Sequence, residues 1–364
     1  MQATRLRCLV CRDTLKLVFV ADRPGYPDLG PDAILACTAC SARYPVIGGT
    51  PRMLPSEHRE RLRSAYPLAA RVIGMENVGS SDLDGDLAVK QRTADSFAYE
   101  WQQFGELRDE WSKNFAAYMR PHSVRGLAGL SILDVGAGSG RHSFHAAQAG
   151  ADVVAVDLGA SIDVARRNLP ATVLTVQADA ERLPFEPAGF DIVMSIGVLH
   201  HLPDPQRALR SIARHARPGG HVHVYLYWLP EQRWQRALLD VVAAVRRATV
   251  RLPHPVLHAL CFPLAAGLHA VFVAPGRVLR HRPRGRRLAD ALPLKTYADY
   301  PFAVLVNDQF DRFSAPLERR YTAEEVRRAL CDADLEDVVV LPNHGWIADG
   351  RAATSPRAAG TPRA

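Results

Sequence analysis

The chain has 364 residues, a length that accommodates two domains and a large buried core. Its composition, 48% hydrophobic and 23% charged, is that of a soluble globular protein and excludes a fibrous or low-complexity chain. The formal net charge is +7, but six arginines between positions 277 and 287 supply most of it, so the charge supports an RNA partner only weakly. The first residues lack the apolar core of a signal peptide, and we therefore expect a cytoplasmic protein.

Four of the six cysteines form two pairs with C-x2-C spacing, Cys8 with Cys11 and Cys37 with Cys40. Two such knuckles can close tetrahedrally on one zinc ion, with zinc–sulfur bonds of about 2.3 Å. Disulfides are the competing interpretation, and the paired spacing and a reducing cytosol disfavour them. Four thiolates leave zinc no open position, so we expect a structural or substrate-positioning role.

The run ARYPVIGGTPRML, residues 42–54, follows the second knuckle and predicts a strand, a turn at Gly48-Gly49 and a stop at the prolines. With the cysteines, it resembles the small zinc-ribbon proteins that activate tRNA and release-factor methyltransferases. The resemblance implies a zinc-ribbon-like domain over residues 1–55. A serine-capped helix from Ser56 to about Val72 and a polar linker are predicted next, over residues 56–86.

Aromatic residues recur at helical spacing between Phe97 and Tyr118. Such a stripe is usually part of a hydrophobic core. The alternative, in which Tyr99 and Trp101 line a cofactor pocket, stays open.

The stretch SILDVGAGSGR, residues 131–141, predicts a buried strand, a tight glycine turn and the start of a helix. Glycines there let a ligand lie against bare main chain, and Asp134 can reach a polar part of that ligand. The next predicted strand ends in Asp157, about 20 residues past the turn, where an acid can accept hydrogen bonds from ribose hydroxyls. Enzymes that use nicotinamide, flavin or S-adenosylmethionine (SAM) share these features, so this stretch alone predicts a nucleotide-type cofactor.

Two further strands distinguish these classes: VLTV followed by QADAERLP at residues 177–184, and FDIVM followed by SIGVLHH at residues 195–201. With the glycine turn, these motifs resemble class I SAM-dependent methyltransferases, nearest to the branch that contains the ubiquinone and menaquinone C-methyltransferases. The resemblance covers residues 130–227. It implies an α/β fold with a Rossmann-like sheet of seven strands.

The same resemblance implies the roles of individual residues. The methionine part of SAM would lie on Asp134 and the turn, the ribose on Asp157 and Leu158, and the adenine on Asp179 and Ala180. Residues after the fourth strand would face the methyl group, which places Ser195 at the cofactor and His200 and His201 near the acceptor as candidate bases. The turn residues implied in cofactor binding are Gly136, Ala137, Gly138 and Gly140.

An insertion from 229 to 320 interrupts the resemblance after the fifth strand. It contains two apolar stretches, neither of which is a convincing membrane span because charged residues, histidines and a proline interrupt them. The stretches predict a helical lid, or alternatively helices that lie on an anionic membrane beside the arginine cluster. The cluster contains Arg277, Arg280, Arg282, Arg284, Arg286 and Arg287.

The remaining boundaries follow from these motifs. The methyltransferase core with its preceding helices is predicted over 87–228, and its last helix and strand pair over 321–349, where TAEE at residues 322–325 is a capping box. The small, polar tail over 350–364 is expected to be disordered.

The predicted function is SAM-dependent methyl transfer to a small-molecule or lipid-linked acceptor. The sequence lacks the Asn/Asp-Pro-Pro-aromatic motif of exocyclic-amine methyltransferases and the Pro-Cys pair of pyrimidine C5-methyltransferases. The first alternative is a ribosomal-RNA guanine N1-methyltransferase, whose family also joins a four-cysteine ribbon to this fold. A non-catalytic SAM-binding or activator protein is the second.

Overall fold

The structure is a computed structural model that describes residues 5–19, 33–72, 85–108, 111–280, 285, 288–289 and 292–354. It divides into two compact units. The sheet unit comprises Met1–Ala94, Gly105–Leu229 and Leu317–Ala364, and the helical unit comprises Asp95–Phe104 and Pro230–Pro316. The predicted linker and four of the clustered arginines, at 282, 284, 286 and 287, lie outside the described residues.

The sheet unit begins with an antiparallel meander of four strands. The turn between the third and fourth strands uses Gly48 and Gly49, both with positive φ. The fourth strand then pairs in parallel with a strand of the main sheet, through Arg52 and Met53. The meander strands are β1 (Leu15–Phe19), β2 (Ala33–Cys37), β3 (Arg43–Ile47) and β4 (Thr50–Met53).

The main sheet has seven strands in the order β7-β6-β5-β8-β9-β11-β10. Its first five strands are parallel, and the last two form an antiparallel hairpin on β9. This order confirms the predicted Rossmann-like α/β sheet. The strands are β5 (Ser131–Val135), β6 (Asp152–Asp157), β7 (Leu174–Ala178), β8 (Phe190–Ile196), β9 (Ala216–Leu226), β10 (Leu335–Pro342) and β11 (Trp346–Ala352).

Capping residues mark the start of two helices of the sheet unit. Asp204 accepts a hydrogen bond from the backbone N–H of Arg207, and Pro205 occupies the first turn of the helix that follows. Thr322 and Glu325 form the predicted capping box. The helices are α1 (Arg59–Ala65), α2 (Pro67–Val72), α3 (Gly85–Phe104, which continues into the helical unit), α4 (Trp111–Tyr118), α5 (Arg141–Gln148), α6 (Ser161–Asn168), α7 (Pro205–Ala213) and, after the insertion, α12 (Ala323–Cys331).

Three predicted boundaries differ from the structure. The ribbon over 1–55 is not a separate domain, because β4 is hydrogen-bonded to β7 and the meander belongs to the sheet unit. The helix predicted from Ser56 to Val72 is broken after Tyr66, since Pro67 cannot continue it. The tail predicted to begin at 350 instead continues strand β11 to Ala352, where it pairs with β10 and β9.

The helical unit is formed by the insertion and the end of α3. Its core contains Leu257, Cys261 and Phe310, and Tyr99 packs on Phe310 with ring centroids 5.3 Å apart. By length and composition, one helix among the described residues could cross a membrane, the 27 residues of His254–Arg280. The new helices are α8 (Arg233–Thr249), α9 (His254–Leu268), α10 (Ala274–Arg280) and α11 (Phe302–Ser314), and a π-helical turn joins α9 to α10.

Candidate functional site: a glycine turn at the carboxyl ends of the parallel strands

The glycine turn follows β5 at the carboxyl edge of the parallel strands. The backbone N–H groups of Gly136 and Ala137 both donate to the carbonyl oxygen of Val156, at 2.8 and 2.9 Å. Gly136 has a φ of +82°, and a Cβ added there would lie 2.3 Å from a methyl carbon of Val198. Only glycine fits this position.

Asp157 connects the turn to the next strand. One carboxylate oxygen accepts from the backbone N–H of Gly138 at 2.9 Å, and the other accepts from the N–H of Gly159 and the hydroxyl of Ser161 at 2.8 and 2.7 Å. The adjoining Leu158 carbonyl accepts from the side-chain amide of Gln177 at 2.9 Å. The structure thus brings the predicted turn and the predicted ribose residues to one edge of the sheet.

Asp134 is in β5, two residues before Gly136, and only 1% of its surface is exposed. Its carboxyl group accepts a hydrogen bond from the hydroxyl of Ser143 at 2.7 Å. Burial raises the pKa of Asp134 to about 7, so this group carries only part of a negative charge at neutral pH.

Asp179 is bound by side chains that the motif analysis did not single out. Its carboxylate contacts His58 Nε2 and Lys90 Nζ, both at 3.0 Å, and accepts the N–H of Glu181 at 2.9 Å. Burial alone would raise the pKa of Asp179, but His58 and the Lys90 ammonium outweigh it and hold that pKa well below its usual range. The predicted adenine contact of Asp179 and its neighbour Ala180 stays a prediction.

Arg52 of β4 is a further buried group that the sequence analysis missed. Its guanidinium forms an ion pair with Asp163 at 2.6 Å and donates to the Gln177 side chain at 3.3 Å. Gln177 in turn binds the Leu158 carbonyl, so hydrogen bonds run from the meander to the predicted ribose edge. No local pattern marks His58, Lys90 or Arg52, because their partners lie 89 to 125 residues away in the chain.

The residues after β8 separate into two groups. Ser195 is fully buried and donates to the carbonyl oxygen of Val135 at 2.9 Å, so its hydroxyl is used inside the sheet. His200 and His201 lie together with ring centroids 4.2 Å apart, and Tyr227 from the end of β9 stacks on His200 at 4.0 Å. The Arg320 guanidinium lies 5.3 Å from the Tyr227 ring centre.

His200 is a buried and neutral imidazole. It is fully buried, and among the described residues neither of its ring nitrogens has a hydrogen-bond partner. Burial, together with His201 and Arg320, holds the pKa of His200 well below its usual value. The ring is therefore neutral at neutral pH. His201 differs, since its Nδ1 lies 2.7 Å from the carbonyl oxygen of Leu317.

The four predicted zinc ligands converge at one end of the meander. Their sulfur atoms lie within 4.8 Å of one another, with Cys8–Cys40 at 3.7 Å, Cys11–Cys40 at 3.6 Å and Cys11–Cys37 at 3.3 Å. Sulfurs bound tetrahedrally at zinc are about 3.8 Å apart, and all four cysteines are free rather than disulfide-bonded. The residues present therefore fit a structural zinc ion.

The strand order, the glycine turn and the acid at the end of β6 define an α/β domain that binds a nucleotide-type cofactor at the carboxyl edge of its sheet. Residues 133–224 match the family of methyltransferase domains. This part of the chain is a class I SAM-dependent methyltransferase domain.

Two curated methyltransferases match this part of the chain in sequence. The chain is 35% identical over 122 residues to the ubiquinone biosynthesis O-methyltransferase of Photorhabdus laumondii, a match that covers 31% of this chain and 50% of that protein. It is 40% identical over 105 residues to the enzyme of the same name from Aliivibrio fischeri, a match that covers 28% of this chain and 45% of that protein. The chain thus spans about half the length of these relatives. Among solved structures it resembles the 1,6-didemethyltoxoflavin-N1-methyltransferase of Burkholderia thailandensis, with a TM-score of 0.42 and 16% identity over 76% of this chain and 93% of that one.

Proposed function

We propose that the protein transfers a methyl group from SAM to a small-molecule acceptor. The observation that carries this proposal is the glycine turn tied to Asp157 within a methyltransferase domain. The relatives are named for O-methyl transfer in ubiquinone biosynthesis, which supports a small acceptor and an oxygen centre. SAM carries its own leaving group, so the protein mainly has to align the acceptor and, where necessary, remove a proton.

The cofactor is assigned to the edge formed by β5, β6 and β7. Asp134 and the turn would bind the methionine part, and Asp157 with Leu158 the ribose. The adenine would lie beside Asp179 and Ala180, where His58 and Lys90 keep the Asp179 carboxylate ionised and fixed. Ser195 would act by holding the end of β5 through its bond to Val135 rather than by touching SAM.

We assign the acceptor to the aromatic group formed by His200, His201 and Tyr227. His200 is the stronger candidate base, because its ring is neutral and its nitrogens lack partners among the described residues. An acceptor hydroxyl that reached one of these nitrogens would satisfy a buried polar group, and the ring could take its proton as the methyl group arrives. Access to His200 would require a local movement, since the ring is fully buried.

We further propose that the acceptor is lipid-linked and that the helical unit lies on an anionic membrane surface. Residues 230–316 contain thirteen basic and six acidic side chains, so this segment alone carries a formal charge of +7, equal to that of the whole chain. A positively charged segment of this kind is attracted to anionic lipid head groups. The expected cytoplasmic location stays a prediction.

The apolar surface of α8 supports the same proposal. Arg246 and Thr249 donate to the carbonyl oxygens of Arg312 and Phe313, at 2.7 and 2.8 Å, and so tie α8 to the end of α11. Away from these bonds, four apolar side chains recur at intervals of four, three and four residues and stay exposed by 46 to 64%. This spacing forms one continuous stripe along the helix. The stripe consists of Trp234, Leu238, Val241 and Val245.

The long helix adds further apolar surface. Its most apolar window has a mean hydropathy of 1.9, and only 22% of that window is buried. Val256, Leu260 and Phe262 are each about half exposed. Exposed apolar side chains within a strongly basic segment are typical of helices that lie in the membrane interface.

The acceptor class can be tested directly. Labelled SAM would be incubated with the protein and, separately, with a lipid extract, a soluble metabolite extract and total RNA. We expect label in the lipid extract. Label in the soluble fraction would support methyl transfer to a small molecule and refute a lipid-linked acceptor. Salt-sensitive labelling of RNA would favour the guanine N1 alternative. No label in any fraction, with SAM still bound, would favour the non-catalytic alternative.

Membrane docking needs its own experiment, in which the protein is sedimented with phosphatidylglycerol or phosphatidylcholine vesicles. We expect co-sedimentation with the anionic vesicles, weakened by salt and by Leu238→Glu combined with Val241→Glu. Val339→Glu is the matched control, because Val339 is 40% exposed on β10, outside the helical unit. Equal sedimentation of the wild type, the doubly substituted protein and the control would refute docking. Docking would also be refuted if the wild type were a dimer and the double substitution dissociated it.

A further inference from the structure

A second cluster of metal-ligating side chains lies in the sheet unit, apart from the four cysteines. Asp349 of β11 is directly opposite His223 in the register with β9, and His221 is two residues away on the same face of β9. His122, from the segment after α4, completes the group. The three imidazoles surround one carboxylate that is only 4% exposed.

The distances are those of direct contacts. His122 Nε2 lies 2.6 Å and His223 Nδ1 3.2 Å from Oδ2 of Asp349, and His221 Nδ1 lies 2.7 Å from Oδ1. The donor atoms of His122, His223 and Asp349 are all within 4.8 Å of one another. Three chain segments that are far apart in sequence therefore meet at one buried point.

The hydrogen bonds of His223 direct its Nδ1 at the carboxylate of Asp349. Its Nε2 lies 2.8 Å from the backbone carbonyl oxygen of Tyr118, which can only accept, so Nε2 carries a proton. In a neutral ring Nδ1 then has a lone pair, and that lone pair faces a carboxylate oxygen of Asp349 at 3.2 Å. A metal ion bound at this point would be within reach of both atoms.

We propose that His122, His223 and Asp349 bind a divalent transition-metal ion of the zinc type, while His221 hydrogen-bonds the second carboxylate oxygen of Asp349. Imidazole nitrogens with one carboxylate form a common ligand set for such ions. The Tyr118 carbonyl oxygen fixes the tautomer and orientation of His223, as second partners do for metal-bound histidines.

The geometry fits zinc after a small adjustment. A nitrogen and an oxygen bound tetrahedrally to zinc are about 3.3 Å apart. His223 already has this separation, whereas His122 would retreat by about 0.7 Å. His122 has room to move, because its side chain is 18% exposed, whereas that of His223 is fully buried.

The position of the cluster indicates a structural role. A metal ion there would fasten the segment after α4 to β9 and β11. The same face of β9 continues to Tyr225, which packs against Tyr118 and Tyr227 with ring centroids 4.8 and 6.1 Å away. The ion would thus hold Tyr118, and through it the aromatic group around His200, without touching the acceptor.

The test counts zinc in the full chain, purified without a metal-chelating tag and dialysed against a slight excess of Zn²⁺. We expect two zinc ions per chain in the wild type, one in Asp349→Asn and one in Cys37→Ser. His344→Ala is the matched control and should retain two, since His344 is an exposed histidine outside the cluster. His122→Gln, at the rim, should lose the same ion as Asp349→Asn and covers the case in which the buried variant misfolds.

Cobalt distinguishes the two sites independently of their number. Cobalt bound to thiolates gives charge-transfer absorption in the near ultraviolet in addition to visible bands, whereas a nitrogen and oxygen site gives only the weaker visible bands. Cys37→Ser should therefore reduce the near-ultraviolet absorption, and Asp349→Asn should leave that absorption in place and lower only the visible absorption. One zinc per chain in the wild type, with the Asp349→Asn count unchanged, would overturn the proposal and assign the position to a proton. These counts do not depend on methyl transfer.

Discussion

Replacing Gly136 by alanine tests the glycine turn most directly, because the structure separates two physical costs at that residue. The first cost is conformational, since φ is +82° and a side chain with a Cβ is strained there. The second is steric, because the new Cβ would lie 2.3 and 2.7 Å from the two methyl carbons of Val198. Both contacts are closer than van der Waals packing permits.

The magnitude follows from adding the two costs. A left-handed backbone costs a residue with a Cβ about 1–2 kcal/mol, and forcing an extra methyl group into packed surroundings costs about 1–3 kcal/mol. Gly136→Ala should therefore destabilise the protein by about 2–5 kcal/mol. Gly129→Ala is the matched control, because Gly129 has a similar φ of +78° and nothing within 4 Å of the added Cβ. It should show the conformational cost alone.

The measurements are chemical unfolding and SAM affinity by calorimetry. Combining Gly136→Ala with Val198→Ala should recover the steric part and leave the double variant close to Gly129→Ala. SAM binding should weaken at least tenfold in Gly136→Ala, because the turn would move, and should not change in Gly129→Ala. If Gly136→Ala bound SAM normally and unfolded like Gly129→Ala, the close approach of Val198 and its role in shaping the site would be wrong.

Three further predictions concern the carboxylates and His200. Asp157→Ala should weaken SAM binding by about 1.5–3 kcal/mol, the range for hydrogen bonds to a charged group, and unchanged affinity in calorimetry would remove Asp157 from the site. Because the pKa of His200 is lowered, its ring stays unprotonated below pH 6.5, so the fall of kcat/KM in acid should occur below that pH. His200→Ala should lower the rate about 10²–10⁴-fold, and added imidazole should restore part of the activity. A full rate in that variant would exclude His200 as the base. Asp179 has a lowered pKa, so its stabilising effect is present above the unfolded-state pKa of about 3.9 and is lost as pH falls below it. Asp179→Asn should therefore cost about 1–3 kcal/mol at pH 7, because His58 loses its carboxylate whereas Lys90 keeps its ion pair with Glu181 at 2.6 Å. The gap to wild type should narrow in acid, and a gap independent of pH would contradict this reasoning.

The features that the sequence predicts well are those that depend on a few neighbouring residues. The glycine turn after β5, the acid that ends β6 and the capping box at Thr322 each depend on a few adjacent positions, and the structure contains all three. The seven-stranded order could be expected as well, because the strands follow one another with the motifs of one family.

The features that the sequence does not predict depend on distant pairs. Asp179 is held by His58 and Lys90, which are 121 and 89 residues away, and no neighbouring residue signals either contact. The cluster around Asp349 combines residues separated by 126 and 227 positions, and nothing near any of them resembles a metal motif. Single-sequence patterns report local geometry, so contacts of this range become visible only in the folded chain.

The pairing of β4 with β7 has a consequence for how the chain can be divided. A strand at the edge of a sheet presents unpaired N–H and C=O groups that can recruit another chain. Here β4 covers β7 with a parallel register at Arg52 and Met53, and the hydroxyls of Thr50 and Thr175 hydrogen-bond at 2.9 Å across the same junction. A shortened protein that began after residue 55 would expose this edge, and it should self-associate rather than behave as an isolated methyltransferase domain.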